Sequence, residues 1–277
     1  MRTYGNSASV VVLLAWLLLP FATARAESIV LASTTSLDNS GLLGRILPAF
    51  TAKTGIEVRV VAQGTGQALA TAARGDADLV LVHDPEAEAA FMAAGHGKTR
   101  VEIAWNDFLF VGPQSDRTAI GGMTDAVAAL RLVSEAGAIF VSRGDNSGTD
   151  ALEKRLWRAA GIVPAGQPWY RDIGGGMGAA LNMAAALDGV TLTDRGTWLS
   201  FANRRGLVEL VHGDARLINR YRVIELDSVR HAGAKLGPAH VLAAWLAGAE
   251  GQAAIGAFVL GGEVLFHPGV REIPPGE

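Results

Sequence analysis

From Ser28 onward, short runs of aliphatic and β-branched residues alternate with longer stretches in which apolar side chains return every three or four positions. The first pattern predicts strands and the second predicts helices. Strands are expected over residues 28–32, 57–61, 79–82, 107–112, 138–141 and 221–226, with a further apolar run at 190–192. Helices are expected over 42–54, 68–74, from the turn after 149 to about 158, over 177–187, and across the alanine-rich stretch 238–258. Alternation of this kind predicts an α/β fold with mostly parallel sheets flanked by helices. The strands at 107–112 and 221–226 are isolated enough to serve as two crossovers between lobes. On that reading residues 27–109 with 219–277 form one lobe and 110–218 the other, with a ligand cleft between them. Pro274-Pro275 predicts a frayed C-terminal tail.

The residues before this alternation follow a different rule. Arg2 precedes an apolar run from Val10 to Phe21, and Ala24-Arg25-Ala26 puts small residues where a signal peptidase reads. The run is shorter than the roughly 20 residues needed to span a bilayer, so residues 1–26 read as a cleavable export signal. The sequence has no cysteine, which rules out disulfides and a lipid anchor on an N-terminal thiol, and leaves stability to one or two hydrophobic cores. Removal of residues 1–26 takes away Arg2 and Arg25 but no acid, so the net charge of −3 becomes −5. Such a chain is expected to be a freely diffusing periplasmic monomer with no affinity for nucleic acid. An anionic ligand would have to be held by local donors rather than by a basic surface.

Three polar clusters sit where a predicted strand passes into a predicted helix. Ser33-Thr34-Thr35-Ser36 follows the first strand, and four consecutive hydroxyls exceed what an N-cap needs. Gly64-Thr65-Gly66-Gln67 adds a hydroxyl, Thr65, among small residues, and lacks the Gly-Lys-Ser/Thr of a phosphate loop. Ser142-Arg143-Gly144-Asp145-Asn146-Ser147-Gly148-Thr149 is the strongest signal. Arg143 offers a forked set of donors, Ser147, Gly148 and Thr149 open a helix, and Asp145 either faces the ligand or fixes the arginine.

Other chemistry finds less support. Gly174-Gly175-Gly176-Met177-Gly178-Ala179 satisfies the dinucleotide form Gly-x-Gly-x-x-Ala, with Asp194 at about the right remove. An exported chain has little access to nicotinamide cofactors, however, and the glycines read as a flexible helix entry. Arg195 reads as a salt-bridge partner. His83 has no companions at metal-ligand spacing, and neither a zinc motif nor a nucleophile elbow occurs, so no cofactor, metal or catalytic residue is expected. An exported phosphatase or oxidoreductase remains the alternative from another class.

With these motifs in view, the chain resembles the tungstate-binding periplasmic proteins of ABC transporters, within the two-lobed type II binding proteins. The blocks that carry the resemblance are Ala32 to Ser36, Val82 to Glu88, Asn106-Asp107-Phe108 with Val111-Gly112-Pro113, Val141 to Thr149, Gly176 to Ala179 with Leu181 to Ala184, and Thr191 to Thr197. The resemblance implies capture of tungstate, or molybdate, for a permease and an ATPase. It implies ligation by Thr34, Thr35 and Ser36 from one lobe and by Arg143, Ser147 and Thr149 from the other. Ser33 stands where the family pattern has threonine. The arginine loop is also similar to that of phosphate-binding periplasmic proteins, and the orientation of Asp145 separates the two cases. Hydrogen phosphate needs an acceptor, whereas tungstate takes donors alone.

Overall fold

The computed structural model describes residues 27–273, so the export signal expected over 1–26 and the Pro274-Pro275 tail lie outside the described residues. Strand β1 (Ser28–Thr34) is buried on both faces, as the central strand of an α/β sheet must be. Thr34 caps the short helix α1 (Thr35–Asn39). In the following α2 (Leu42–Thr54), Leu42, Leu43, Ile46, Leu47 and Phe50 face the core at helical spacing. Then come β2 (Glu57–Gln63), α3 (Thr65–Ala73), β3 (Leu79–Val82) and α4 (Pro85–Ala93). β1 pairs in parallel with both β2 and β3.

The 17-residue β4 (Gly97–Pro113) changes partners along its length. It is followed by α5 (Ala126–Glu135), β5 (Phe140–Ser142), α6 (Gly148–Ala160), β6 (Tyr170–Asp172), α7 (Met177–Leu187), β7 (Val190–Asp194), α8 (Arg195–Ser200) and β8 (Leu207–Val211). β9 (Ile218–Leu226), α9 (Leu236–Ala247), α10 (Ala249–Gly256), the small hairpin β10 (Val259–Leu260) and β11 (Glu263–Val264), and β12 (His267–Glu272) close the chain. From Gly97 to Asp107, β4 lies antiparallel to β9, with β12 also paired to it. From Phe108 onward it lies antiparallel to β7 and β8. β5 pairs in parallel with β6 and β7. Each half therefore has a parallel three-strand ladder, and the halves are joined through the antiparallel β4 and β9.

Strand alternation gives each half two apolar layers. Leu79, Leu81, Tyr221 and Val223 face α2, α9 and α10, while Val80, Val82, Ile224 and Leu226 face α3 and α4. Further along β4, Phe108 and Phe110 pack with Trp157 and Leu156 of α6, and Leu109 and Val111 pack with Leu181 and Ala184 of α7.

The structure extends one expected element and divides another. β4 begins ten residues before the expected strand because Arg100 and Glu102, buried at 3 and 4% exposure, break the apolar alternation. They join an internal ion cluster in which Arg222 lies 3.1 Å from Glu88 and 3.7 Å from Glu102. The single helix expected over 238–258 is two, because the chain turns extended at Gly248, which caps α10. Helix α5 was not expected at all. Among the described residues, no helix is long and apolar enough to cross a membrane.

Candidate anion-binding site

The polar clusters read from the sequence meet at the ends of parallel strands. Thr34, the last residue of β1, accepts the Leu37 amide at 3.4 Å, and its Oγ1 lies 3.2 Å from Ser36 Oγ. Ser36 Oγ lies 3.1 Å from Nε2 of His83, the residue that follows β3. His83 packs against Tyr221 of β9 with ring centroids 5.1 Å apart. Thr65, which opens α3, is buried, and its Oγ1 has no hydrogen-bond partner. The residue capping α3 is Gly64, so that helix starts without a capping side chain and its first amides remain donors.

From the other half, the N-terminus of α6 closes on these groups. A Cβ on Gly148 would stand 2.8 Å from His83 Cε1, 3.2 Å from His83 Nδ1 and 3.2 Å from Thr65 Oγ1. Only a residue without a side chain lets the turn come this close. Ser147 caps α6 by accepting the Asp150 amide at 3.3 Å. The preceding loop is bent by Gly144 at φ +59°, where a Cβ would run into the Asp172 carboxylate.

Arg143 is the buried cation of the site. Its Nε donates to Asp145 Oδ2 at 3.1 Å, its Nη2 donates to the same oxygen, and its Nη1 donates to Thr149 Oγ1 at 3.3 Å. Asp145 Oδ1 accepts the Ser147 amide at 3.1 Å. Burial pushes the Asp145 carboxyl up, but the hydrogen bonds from Ser147 and the adjacent Arg143 charge outweigh it and hold the group below the usual carboxylate range. Asp145 is thus ionised and turned back onto the arginine loop.

The remaining groups are neutral or committed elsewhere. Burial pushes His83 down to about 4, with the Arg143 charge adding to the effect and Asp84 opposing it, so the imidazole is neutral at physiological pH. Asp194 caps α8, accepting the Thr197 amide at 2.8 Å and its hydroxyl at 2.7 Å, and burial raises its carboxyl. Arg195 bonds Asp107 at 2.6 and 2.8 Å and also reaches Glu209, the salt-bridge role expected of it. The glycine run before α7 is tied to the arginine loop, the Gly175 amide donating to the Arg143 carbonyl at 2.8 Å.

Two candidate residues fall away from this cluster. Ser33 is fully buried and its hydroxyl donates across the sheet to the Leu81 carbonyl at 3.0 Å, because a strand residue next to Thr34 must point to the opposite face. Thr35 has an exposed side chain at the start of α1. Conversely, His83 joins the cluster although it has no companions at metal-ligand spacing. The available signal was its place at the end of an apolar strand, the same topological position that Thr34 holds after β1. Beside His83 and Gly148 opens a cavity of about 370 Å³ that Phe108, Leu152, Arg155 and Asn219 also line. Among the described residues no cluster of three or more His, Cys, Asp or Glu could hold a metal ion.

A family model described as the PBP superfamily domain matches residues 21–247. The chain belongs to the PBP superfamily. It is 42% identical over 233 residues to the tungstate-binding protein TupA of Peptoclostridium acidaminophilum, covering 83% of this chain and 81% of that one. Among solved PBP structures, the tungstate-binding protein TupA from Desulfovibrio alaskensis G20 superposes with a TM-score of 0.81 at 41% identity. It covers 89% of this chain and 100% of its own. The structure described as the tungstate ABC transporter from Geobacter sulfurreducens gives a TM-score of 0.75 at 39% identity, over 84% of this chain and 99% of that one. The two-lobed α/β architecture of the PBP fold is the one expected from the sequence.

Proposed function

We propose that the protein is the periplasmic binding component of an ABC importer and that its ligand is tungstate, with molybdate as the related oxyanion it would also accept. The observation that carries this reading is Asp145, whose two carboxylate oxygens are taken by Arg143 and the Ser147 amide. What the cluster then offers a ligand is N–H and O–H hydrogen: the Arg143 guanidinium, the hydroxyls of Thr34, Ser36, Thr65, Ser147 and Thr149, and the first amides of α3 and α6. Tungstate carries no proton and accepts from all of these. Hydrogen phosphate would bring a hydroxyl that no carboxylate faces, so one of these hydroxyls would have to turn from donor to acceptor to meet it; left unpaired, a buried donor costs about 1–3 kcal/mol. The relatedness to tungstate-binding proteins at about 40% identity points the same way.

In this reading residues 27–109 with 219–277 form one lobe and 110–218 the other, and binding closes them. The partner change of β4 after Asp107 lies close to the first boundary. The contact of Gly148 with His83 and Thr65 would be the closed seam. The role is capture rather than catalysis, and delivery would be to a permease and its ATPase by a monomer. Calorimetric titration of the mature chain, freed of bound ligand, with tungstate, molybdate, sulfate and phosphate tests the reading. Tight tungstate binding with phosphate silent is expected, and phosphate binding alone would transfer the assignment to phosphate capture.

A further inference from the structure

The cavity beside His83 and Gly148 lies between α6 on one side and β9 with the turn after β3 on the other. Four of the residues that line it are arginines: Arg155 from α6, Arg216 from the turn before β9, and Arg220 and Arg222 from β9 itself. Among the described residues, no aspartate or glutamate lines it. Strand alternation accounts for part of this, because Arg220 and Arg222 are two positions apart and so share one face of β9. The wall between the arginines is apolar, made by Phe108, Leu152 and Leu156.

Each of these arginines has a carboxylate partner, and in every case the partner lies outside the lining. Arg220 meets Glu102 at 2.7 Å, Arg222 meets Glu88 at 3.1 Å and Arg155 meets Asp84 at 3.3 Å. Arg216 meets Asp125 at 2.7 Å and Asp214 at 2.6 Å. Glu88 and Glu102 are buried at 0 and 4% exposure, whereas the side chains of Arg216 and Arg220 are 44 and 40% exposed. Cations thus stand in front and acids behind, so an entering ion meets guanidinium before carboxylate. Neutralisation on the β9 side is also incomplete. Glu88 is shared between Arg222 and Arg100, which lies 3.7 Å away, and burial pushes its carboxyl up to about 7 against the pull of both. Apolar walls that carry charge of one sign concentrate the field in the opening between them.

A dianion approaching the protein is opposed by a net charge of −3 over the whole chain, so a local cationic opening changes how fast it arrives. We propose that the arginine-lined cavity is an outer anion site, a vestibule that gathers a small oxyanion dianion from solvent and passes it to the inner cluster beyond His83 and Gly148. These two residues belong to both places: they line the cavity, and a Cβ on Gly148 would stand 3.2 Å from Thr65 Oγ1. When the contact between α6 and His83 parts, the cavity and the inner cluster share one cleft. The inference rests on the oxyanion reading of the inner cluster. It adds a determinant of the association rate that contains none of the inner ligand groups.

Ala159 is an exposed residue of α6 that also lines the cavity, and a charge placed there breaks no ion pair. The test is stopped-flow association of tungstate, read by tryptophan fluorescence, for wild type, Ala159→Lys and Ala159→Glu. It is run at ionic strengths of about 10 and 150 mM, between which the Debye length falls from about 30 to about 8 Å. At low salt Ala159→Lys should associate about two- to fivefold faster than wild type and Ala159→Glu slower by a similar factor. The gap should close at high salt, with dissociation within about twofold of wild type throughout. Ala52→Lys and Ala52→Glu place the same charges in the last turn of α2, which runs away from the site-bearing end of β1. They should change association by less than about 1.5-fold. Rates that ignore the sign of the charge at position 159, or that respond as strongly at position 52, overturn the proposal. If the chain takes up phosphate and not tungstate, the proposed function fails and the same comparison with phosphate decides the vestibule; a chain that binds neither removes both.

Discussion

An alanine at position 148 would place a methyl carbon 2.8 Å from His83 Cε1 and 3.2 Å from both His83 Nδ1 and Thr65 Oγ1. The backbone raises no objection, because Gly148 is not among the residues at positive φ. The cost falls on the contact between the α6 turn and the groups of the other half. Relief requires that contact to open by several tenths of an ångström, and overpacking of this kind costs about 1–3 kcal/mol. If the contact forms on closure around the ligand, the whole cost appears in binding as an affinity about 5- to 150-fold weaker. With the lobes apart the methyl meets nothing. There, replacement of a helical glycine by alanine stabilises by up to about 1 kcal/mol. The two effects have opposite signs, which is what makes Gly148→Ala informative. Tungstate titration by calorimetry should show the weakened affinity, while the ligand-free chain should melt at the wild-type temperature or a few degrees above it. Wild-type affinity together with a lowered ligand-free melting temperature would refute the reasoning, since the contact would then belong to the resting fold.

Three further outcomes are expected. Arg143→Ala should weaken tungstate binding by more than about a hundredfold, through loss of charge-assisted donors, and leave the circular dichroism spectrum unchanged; retained affinity would remove Arg143 from the site. Arg155→Ala breaks the pair at 3.3 Å between α6 and the Asp84 carboxylate that caps α4. As the guanidinium is about one-fifth exposed, the effect should be a roughly two- to fivefold faster ligand dissociation in stopped flow, shrinking as salt is added. Burial pushes the Glu153 carboxyl up to about 7, although Tyr170 donates to it at 2.8 Å and Trp157 at 3.2 Å. The unfolded chain ionises this group near 4.3, so its contribution to stability is full below that pH and is lost as pH rises to about 7. Glu153→Gln should therefore match wild type in denaturant unfolding at pH 4 and exceed it at pH 8 by on the order of 3 kcal/mol; a constant difference at both pH values would show that Glu153 does not titrate in this way.

What the sequence revealed depended on how far each feature is local. Helices α2 and α7 and strand β3 fall where apolar periodicity put them, because their cores are lined by unbroken Leu, Ile, Val and Ala patterns. The N-terminal half of β4 was invisible because Arg100 and Glu102 are neutralised by Glu88, Arg220 and Arg222 from distant segments, and no local pattern announces such pairing. The hydroxyl and arginine clusters were legible as clusters. The distinction between Ser33 and Thr34 was not, because it rests on which face of β1 each occupies. The orientation of Asp145 and the approach of His83 to Ser36 are matters of rotamer and tertiary contact that no local pattern encodes.

Asp107 and Ile218 are cross-strand partners in the β4–β9 ladder, so the chain leaves for its second half and returns from it at neighbouring points about 5 Å apart. The first half is consequently built from two stretches of polypeptide made at different times. As the chain is synthesised, β1, β2 and β3 exist long before β9, and the edge of β3 that β9 will cover stays open while the entire second half emerges. The second half, by contrast, has its strands β5, β6 and β7 and the tail of β4 in one continuous stretch and can complete its sheet first. Sheet completion can thus run opposite to synthesis: the half that is made first needs β9 from the end of the chain before its sheet closes.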